Sequence, residues 1–94
     1  MTRVSRTRQA VEDVEAIKAY VARDYERYAA PLAEGLVAEV ERLAQFPQSG
    51  RIVPELAYES LREILHGPYR LVYRVGVDTV EIVTIYHGAR LLRL

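Results

Sequence analysis

The chain has 94 residues, which is enough for one domain with a single hydrophobic core and too few for two, so residues 1–94 are expected to form one domain. Its 13 basic and 13 acidic residues cancel, and no net charge draws it to nucleic acid or to an anionic membrane. It has no cysteine, which excludes disulfides and thiolate metal sites. Without an apolar run of about 18 residues, the sequence predicts a cytoplasmic protein that does not cross a membrane.

The N-terminal half begins with a short strand and a helix. Arg3 to Ser5 fits a brief leading strand, and Ser5 or Thr7 fits the N-cap of the helix that follows. Apolar residues then recur at three- and four-residue spacing, which is typical of an amphipathic helix with one buried stripe. These residues are Val11, Val14, Ile17, Val21 and Tyr25.

A second helix is predicted after a break at residues 28–31, because Pro31 suits the first turn of a helix. Its apolar stripe runs through Leu32, Leu36, Val40 and Leu43, and the run ends at residues 46–50. The two helices should form an antiparallel hairpin. Gly35, which costs roughly 1 kcal/mol relative to alanine in a helix, is expected to permit close approach of the first helix.

After Gly50 the apolar period changes from about 3.6 to 2, which indicates strands. Three β-rich runs, 61–65, 69–75 and 80–86, are separated by turn residues at 66–68 and 76–78. They predict a three-stranded antiparallel meander. The fold class is therefore α+β, with an N-terminal helical hairpin packed on one face of a small antiparallel β-sheet and the opposite face open.

Arginines lie among the apolar residues of these strands. Side-chain alternation places Arg70 and Arg74 on one face of their strand, and the more apolar face, with Tyr69, Leu71 and Tyr73, should contact the helices. Cationic side chains on a half-buried strand need anionic partners or a ligand. Target-binding candidates are Arg62, Arg70, Arg74 and Arg90. The alternative for Arg70 is a surface position or a structural ion pair with Glu63 or Glu81.

A carboxylate and a histidine complete a candidate catalytic set. Glu55 follows Pro54 just before the sheet, and His87 ends the last strand. Together with Arg70 they could act as base, acid and phosphate clamp in RNA cleavage by the 2′-hydroxyl, although three such residues also occur together by chance. Alternation does not decide which face His87 occupies, since both parities contain apolar residues. Two histidines without clustered carboxylates make no metal motif, and no cofactor is predicted.

The order and spacing of several short motifs resemble the RelE/ParE superfamily of toxins from type II toxin–antitoxin modules, whose members are often labelled plasmid-stabilisation proteins. The resemblance covers nearly the whole chain. It rests on residues 10–17 with Tyr20, on Pro47 with Gly50-Arg51, on 53–55, on 61–64, on 69–74, and on His87 with Arg90.

The resemblance implies a small α/β fold with a helical hairpin on an antiparallel sheet, and a cognate antitoxin as partner. RelE-like members cut messenger RNA on the ribosome, whereas ParE-like members inhibit DNA gyrase. In the YoeB branch of the nucleases, a glutamate, an arginine and a histidine form the site, and Glu55, Arg70 and His87 match them by motif position.

Three departures favour the ParE-like activity. YoeB-like chains place a tyrosine directly after the histidine, whereas this chain has Gly88. RelE-like chains hold RNA with several lysines and arginines, whereas this chain has a single lysine, Lys18, and no net charge. The long hairpin is also ParE-like. We therefore predict a gyrase poison; the alternatives are a ribosome-dependent mRNA endonuclease and an inactive antitoxin-binding scaffold.

Overall fold

A computed structural model describes residues 2–56 and 58–88. Five strands form one sheet in the order β1-β5-β4-β3-β2, and the helix α1 packs on one of its faces. In chain order the elements are β1 (Arg3–Arg6), α1 (Arg8–Gln45), β2 (Arg51–Ile52), β3 (Leu61–His66), β4 (Tyr69–Gly76) and β5 (Thr79–His87). The predicted α+β class is confirmed.

The three predicted strands of the meander are present as β3, β4 and β5, paired antiparallel. Their turns include Gly67 and Asp78, each with a φ of 56°. The sheet is larger than predicted and is mixed. The leading strand β1 pairs in parallel with β5, with Val4 opposite Val80, and β2 adds a short antiparallel edge beside β3.

The helix α1 consists of two arms that meet at a kink. Thr7 is its N-cap and accepts a hydrogen bond from the backbone N–H of Ala10 at 3.0 Å. Tyr25 has a non-helical backbone (φ −140°, ψ 64°). A straight helix of 38 residues would be about 57 Å long, but the longest dimension of the molecule is 39 Å. The helix is therefore bent, and residues of both arms, 8–24 and 26–45, line one cavity and contact the main core, so the arms lie side by side as a hairpin.

The kink lies six residues before Pro31, so the predicted break was placed too late and Pro31 lies within the second arm. Gly35 also packs against a different partner from the one expected. A Cβ atom on Gly35 would lie 2.7 Å from Nε2 of His66, so the missing side chain makes room for the end of β3 and not for the first arm.

The main core lies between α1 and the sheet. Leu36 and Leu43 of the second arm and Tyr73 of β4 are almost completely buried there. The predicted division of β4 is correct, because Tyr69, Leu71 and Tyr73 all contact this core. Burial of these side chains, at roughly 25 cal/mol per Å² of apolar surface, is the main contribution to stability.

The opposite face of the sheet was predicted to be open, and this prediction is wrong. Val53, Leu61 and Val72 are buried there as a second, smaller core, and Leu56, Val83 and Tyr86 pack against it. The turn at residues 53–56 covers this part of the sheet, closed by a hydrogen bond from the N–H of Leu56 to the carbonyl of Val53 at 3.2 Å. Alternation along a strand assigns a face but cannot show what covers it.

A bulge in β5 explains why alternation could not place His87. Tyr73 lies opposite Ile82 but Val72 lies opposite Thr84, so one extra residue, Val83, is inserted in β5. The face of each later residue is therefore reversed. Ile82 and Ile85 both contact the main core although their numbers differ in parity.

Candidate functional site: a buried ion network

Glu63 is the centre of an ion network on the face opposite α1. It lies in β3 on the same face as the second core, and only 1% of the residue is exposed. Its Oε2 accepts hydrogen bonds from Nε of Arg51 at 3.0 Å and from Nη2 of Arg51 at 2.8 Å. Its Oε1 accepts from Nε of Arg70 at 3.1 Å and also from Nη2 of Arg70. One carboxylate thus joins two arginines.

Arg70 also binds Glu55 through both ends of its guanidinium. Nη1 of Arg70 donates to Oε2 of Glu55 at 2.6 Å, and Nη2 donates to Oε1 at 2.7 Å. This parallel two-bond contact is the strongest geometry for an arginine and a carboxylate. Glu55 belongs to the turn at 53–56, so the contact attaches that turn to β4.

The network leaves Arg70 little capacity for another ligand. Only 6% of the residue is exposed, which contradicts the expected position on an open face; the structural ion pair with Glu63 is the arrangement observed. Four of its five N–H groups already bind Glu55 or Glu63. The hydrogen bonds that Arg70 donates to Glu55 raise the pKa of Arg70 above its ordinary value, and the nearby Glu63 adds to the shift, although burial opposes it.

The charges of the network balance, since two glutamates face two arginines. Removing one partner from a buried pair leaves an uncompensated charge, which costs more than the intact pair contributes. The guanidinium of Arg70 also lies over the ring of Tyr86, 5.3 Å from its centroid, in a cation–π contact. The hydroxyl of Tyr86 is buried without a hydrogen-bond partner among the residues that the structure describes, and burial raises its pKa.

A second polar contact joins the end of α1 to the sheet. The hydroxyl of Tyr73 accepts a hydrogen bond from the N–H of Gly50 at 2.9 Å, and Nη1 of Arg62 donates to the carbonyl of Gly50 at 3.0 Å. A Cβ atom on Gly50 would lie 2.5 Å from the carbonyl oxygen of Glu63, so this close approach requires glycine. Arg62 is therefore engaged with the backbone.

The structure places His87 apart from the other two candidate catalytic residues. Glu55 and Arg70 are in contact, but His87 lies on the face that α1 covers. His87 is opposite Tyr69 in the sheet, and the two rings meet edge to face with centroids 5.9 Å apart. Arg70 is opposite Tyr86. Because side chains alternate along a strand, Arg70 and Tyr86 lie on one face of the sheet, and Tyr69 and His87 lie on the other.

The three described arginines among those proposed for target binding do not form one patch. Arg62 binds the backbone of Gly50, and Arg70 is inside the ion network. Arg74 is exposed and forms an ion pair with Glu81 on the neighbouring strand β5, with its Nη1 3.2 Å from Oε1 of Glu81. Arg90 lies outside the described residues.

Arg51 and Tyr86 were not predicted as parts of this site, and Glu63 was predicted only as one possible partner of Arg70. A usable indication was present for Glu63, because alternation along β3 places it on the same face as Leu61 and Leu65, and Leu65 is opposite Arg70. Within residues 2–56 and 58–88, no group of three or more histidines and carboxylates could hold a metal ion. No helix in these ranges is long and apolar enough to cross a membrane.

Comparisons with known proteins identify the family. The sequence model of the ParE toxin of the type II toxin–antitoxin system parDE matches residues 4–92. The chain is 36% identical over 92 residues to Toxin RelE2 of Caulobacter vibrioides, covering 97% of this chain and 100% of that protein.

Solved structures agree with the fold. The chromosomal ParDE toxin–antitoxin system of P. aeruginosa includes a chain that matches with a TM-score of 0.78 and 22% identity, covering 93% of this chain and 96% of that one. The toxin–antitoxin complex RelBE2 of Mycobacterium tuberculosis matches with a TM-score of 0.59 and 20% identity, covering 95% and 93% of the two chains. This chain therefore belongs to the ParE toxin family of type II toxin–antitoxin systems, within the RelE/ParE superfamily.

Proposed function

We propose that this toxin inhibits growth by binding DNA gyrase and that it has no nuclease activity. One observation carries the proposal: the residues that match the nuclease site by motif position lie on opposite faces of the sheet. A general acid and a general base must both reach the reacting atoms of one substrate within hydrogen-bond distance. Glu55 and His87 lie on opposite faces of the sheet, so they are not placed to reach the reacting atoms of one substrate together.

The engagement of Arg70 supports the same conclusion. A phosphate clamp needs N–H groups that can turn to the substrate, whereas Arg70 donates four of them to Glu55 and Glu63. The zero net charge also gives little of the phosphate neutralisation on which RNA binding depends. A toxin that acts on gyrase would work in the cytoplasm.

The test compares two biochemical assays on the purified toxin. We expect it to block supercoiling by DNA gyrase and to leave messenger RNA intact on translating ribosomes. His87→Gln changes an exposed residue and should keep full toxicity, and Glu55→Gln should remain toxic wherever it is folded. Loss of a general acid or base would instead lower the rate by about 10² to 10⁴.

Ribosome-dependent cleavage by the wild type, abolished in both folded variants, would reject the proposal and establish the nuclease. Thermal unfolding of each variant controls for lost stability, which matters most for Glu55→Gln because Glu55 binds Arg70. Absence of any growth effect from the wild type would indicate an inactive antitoxin-binding scaffold.

We further infer that a cognate antitoxin binds the apolar surface of the helices and the sheet edge. The ParDE and RelBE2 structures are of toxin–antitoxin systems, and a similar fold supports a similar partner. An unfolded antitoxin segment gains contact area along such a surface at the cost of ordering entropy. Co-expression with the product of the adjacent gene should give a complex that co-purifies, and separate elution at micromolar concentration would contradict this.

A further inference from the structure

A groove separates the first arm of α1 from the ends of β4 and β5. On the helix side it is lined by Asp13, Ala16, Ile17 and Tyr20, which are spaced three, four and seven residues apart and so share one helix face. On the sheet side it is lined by Tyr69, Ile85, Tyr86 and His87. We call this the acidic aromatic groove; its volume is about 580 Å³.

Among the described residues that line the groove, Asp13 is the acidic one. Oδ2 of Asp13 accepts hydrogen bonds from the N–H of Ile85 at 3.0 Å and from the hydroxyl of Thr84 at 2.5 Å, and Oδ1 accepts from Nε2 of Gln9 at 2.7 Å. These donors fix the carboxylate in place, but none of them carries a charge. The described residues that line the groove include no lysine and no arginine.

Aromatic side chains also line the groove. Tyr20 is 64% exposed, which leaves its ring available to a ligand. Tyr69 and His87 form the edge-to-face pair described above, on the other side of the groove. The faces of the tyrosine rings are electron-rich and attract cations, and the nearby carboxylate of Asp13 adds to this attraction. A planar guanidinium can both stack on a tyrosine ring and bind a carboxylate, which an ammonium group does less well.

We propose that the acidic aromatic groove binds an arginine side chain presented by the antitoxin. The negative charge of Asp13 favours a cationic group and repels a phosphate-bearing ligand such as a nucleotide. Ile17 and Ile85 give the groove apolar walls for the methylene groups of the arginine and for an apolar neighbour in the partner's chain. This proposal rests on the antitoxin partnership proposed above and does not depend on the toxin's cellular target.

The site is tested first with a small probe. Acetyl-leucyl-arginine amide is titrated into the purified toxin and followed by the backbone amide shifts of residues 13–20 and 85–88. Acetyl-leucyl-citrulline amide is the matched control, because citrulline has nearly the shape of arginine without its charge. We expect saturable shifts confined to the groove and at least about fivefold tighter binding of the arginine probe.

Three variants assign the effect to named groups. Tyr20→Ala should weaken the arginine probe about two- to fivefold, and it changes an exposed side chain. Asp13→Asn keeps an oxygen for the N–H of Ile85 and should abolish the preference for arginine over citrulline. Glu12→Gln, an equal loss of charge at an exposed position outside the groove, should leave that preference unchanged.

Equal binding of the two probes, shifts spread over the whole surface, or tighter binding of uridine monophosphate in the groove would overturn the site. If Asp13→Asn fails to fold, Tyr20→Ala and the citrulline comparison still decide. The occupant is tested separately: Tyr20→Ala should weaken the antitoxin complex several-fold, and an unchanged complex would show that the antitoxin does not use the groove. If the wild type forms no complex at all, the partnership fails while the probe result remains valid.

Discussion

The two faces of the sheet are stabilised by different means. Under α1, the sheet buries a continuous apolar core in which Leu36, Leu43 and Tyr73 are almost fully enclosed. On the other face the described residues form a small apolar core around Val53, Leu61 and Val72, and beside it lies the ion network of Arg51, Glu55, Glu63 and Arg70. Two helical arms supply enough apolar surface to cover a sheet, but a turn at residues 53–56 does not.

This difference shows how a short turn can cover part of a sheet. The turn supplies Val53 and Leu56 to the small core and uses the carboxylate of Glu55 to bind Arg70. Apolar contacts tolerate small shifts, whereas a two-bond arginine–carboxylate contact requires one geometry. We therefore expect the ion network to set the position of the turn, while the core under α1 supplies most of the free energy of folding.

The largest expected effect comes from removing the central arginine. Arg70→Met keeps most of the side-chain length but leaves Glu63 and Glu55 close together without this partner. We expect the free energy of unfolding to fall by about 3–5 kcal/mol, measured by urea denaturation. The control is Arg74→Met, two positions beyond Val72 on the same face of β4, where the exposed pair with Glu81 is worth about 0–1 kcal/mol.

Equal losses in these two variants would show that the buried network is no more important than a surface pair. Loss of cooperativity in Arg70→Met, with a reduced dependence of the unfolding free energy on urea, would indicate that the turn at 53–56 detaches before the rest of the molecule unfolds.

A smaller effect is expected from removing one hydroxyl on each face. Tyr73→Phe leaves the N–H of Gly50 without its acceptor in a buried place, which should cost about 1–3 kcal/mol. Tyr86→Phe removes a buried hydroxyl that has no partner in the described part of the chain, and the free energy of unfolding should change by less than about 0.5 kcal/mol or increase. Thermal and urea unfolding of the two variants provide the comparison. A larger loss in Tyr86→Phe would reveal that its hydroxyl takes part in the ion network.

The smallest expected effect concerns salt. At about 1 M salt, charges on the surface are screened beyond roughly 3 Å, whereas buried pairs are screened much less. The small difference in unfolding free energy between the wild type and Arg74→Met should therefore disappear at high salt. The difference between the wild type and Arg70→Met should persist, and its disappearance would mean that solvent reaches the network.

Sequence patterns predicted the elements whose interactions are local. The cap at Thr7, the period of the second arm and the three meander strands all follow from residues within one turn of helix or one hairpin. The parallel pairing of β1 with β5 was not predicted, because nothing in Arg3–Arg6 specifies a partner more than 70 residues away. The kink at Tyr25 was misplaced because proline was the stronger local indication of a break.

The site was harder to predict than the fold. Motif position grouped Glu55 with Arg70, and the two side chains are in contact. It did not reveal that Val83 is a bulge, which reverses the face of His87 relative to Ile82. It also did not reveal that the turn at 53–56 covers Arg70, because burial by a distant segment leaves no pattern in the strand itself.

The pairing of β1 with β5 has a consequence for biosynthesis. β1 and the first arm of α1 are made before β5, and Arg6 lies opposite Ile82, so β1 waits for a partner strand that lies more than 70 residues further along the chain. Strand pairs with such a long sequence separation form slowly, because a large loop must close before the stabilising contacts can form. During translation the amphipathic hairpin has no sheet to cover, and its apolar stripe remains available to chaperones. Until β5 has been made, β1 has no partner strand and the core under α1 lacks Val80, Ile82 and Ile85, so this part of the fold is completed only after β5.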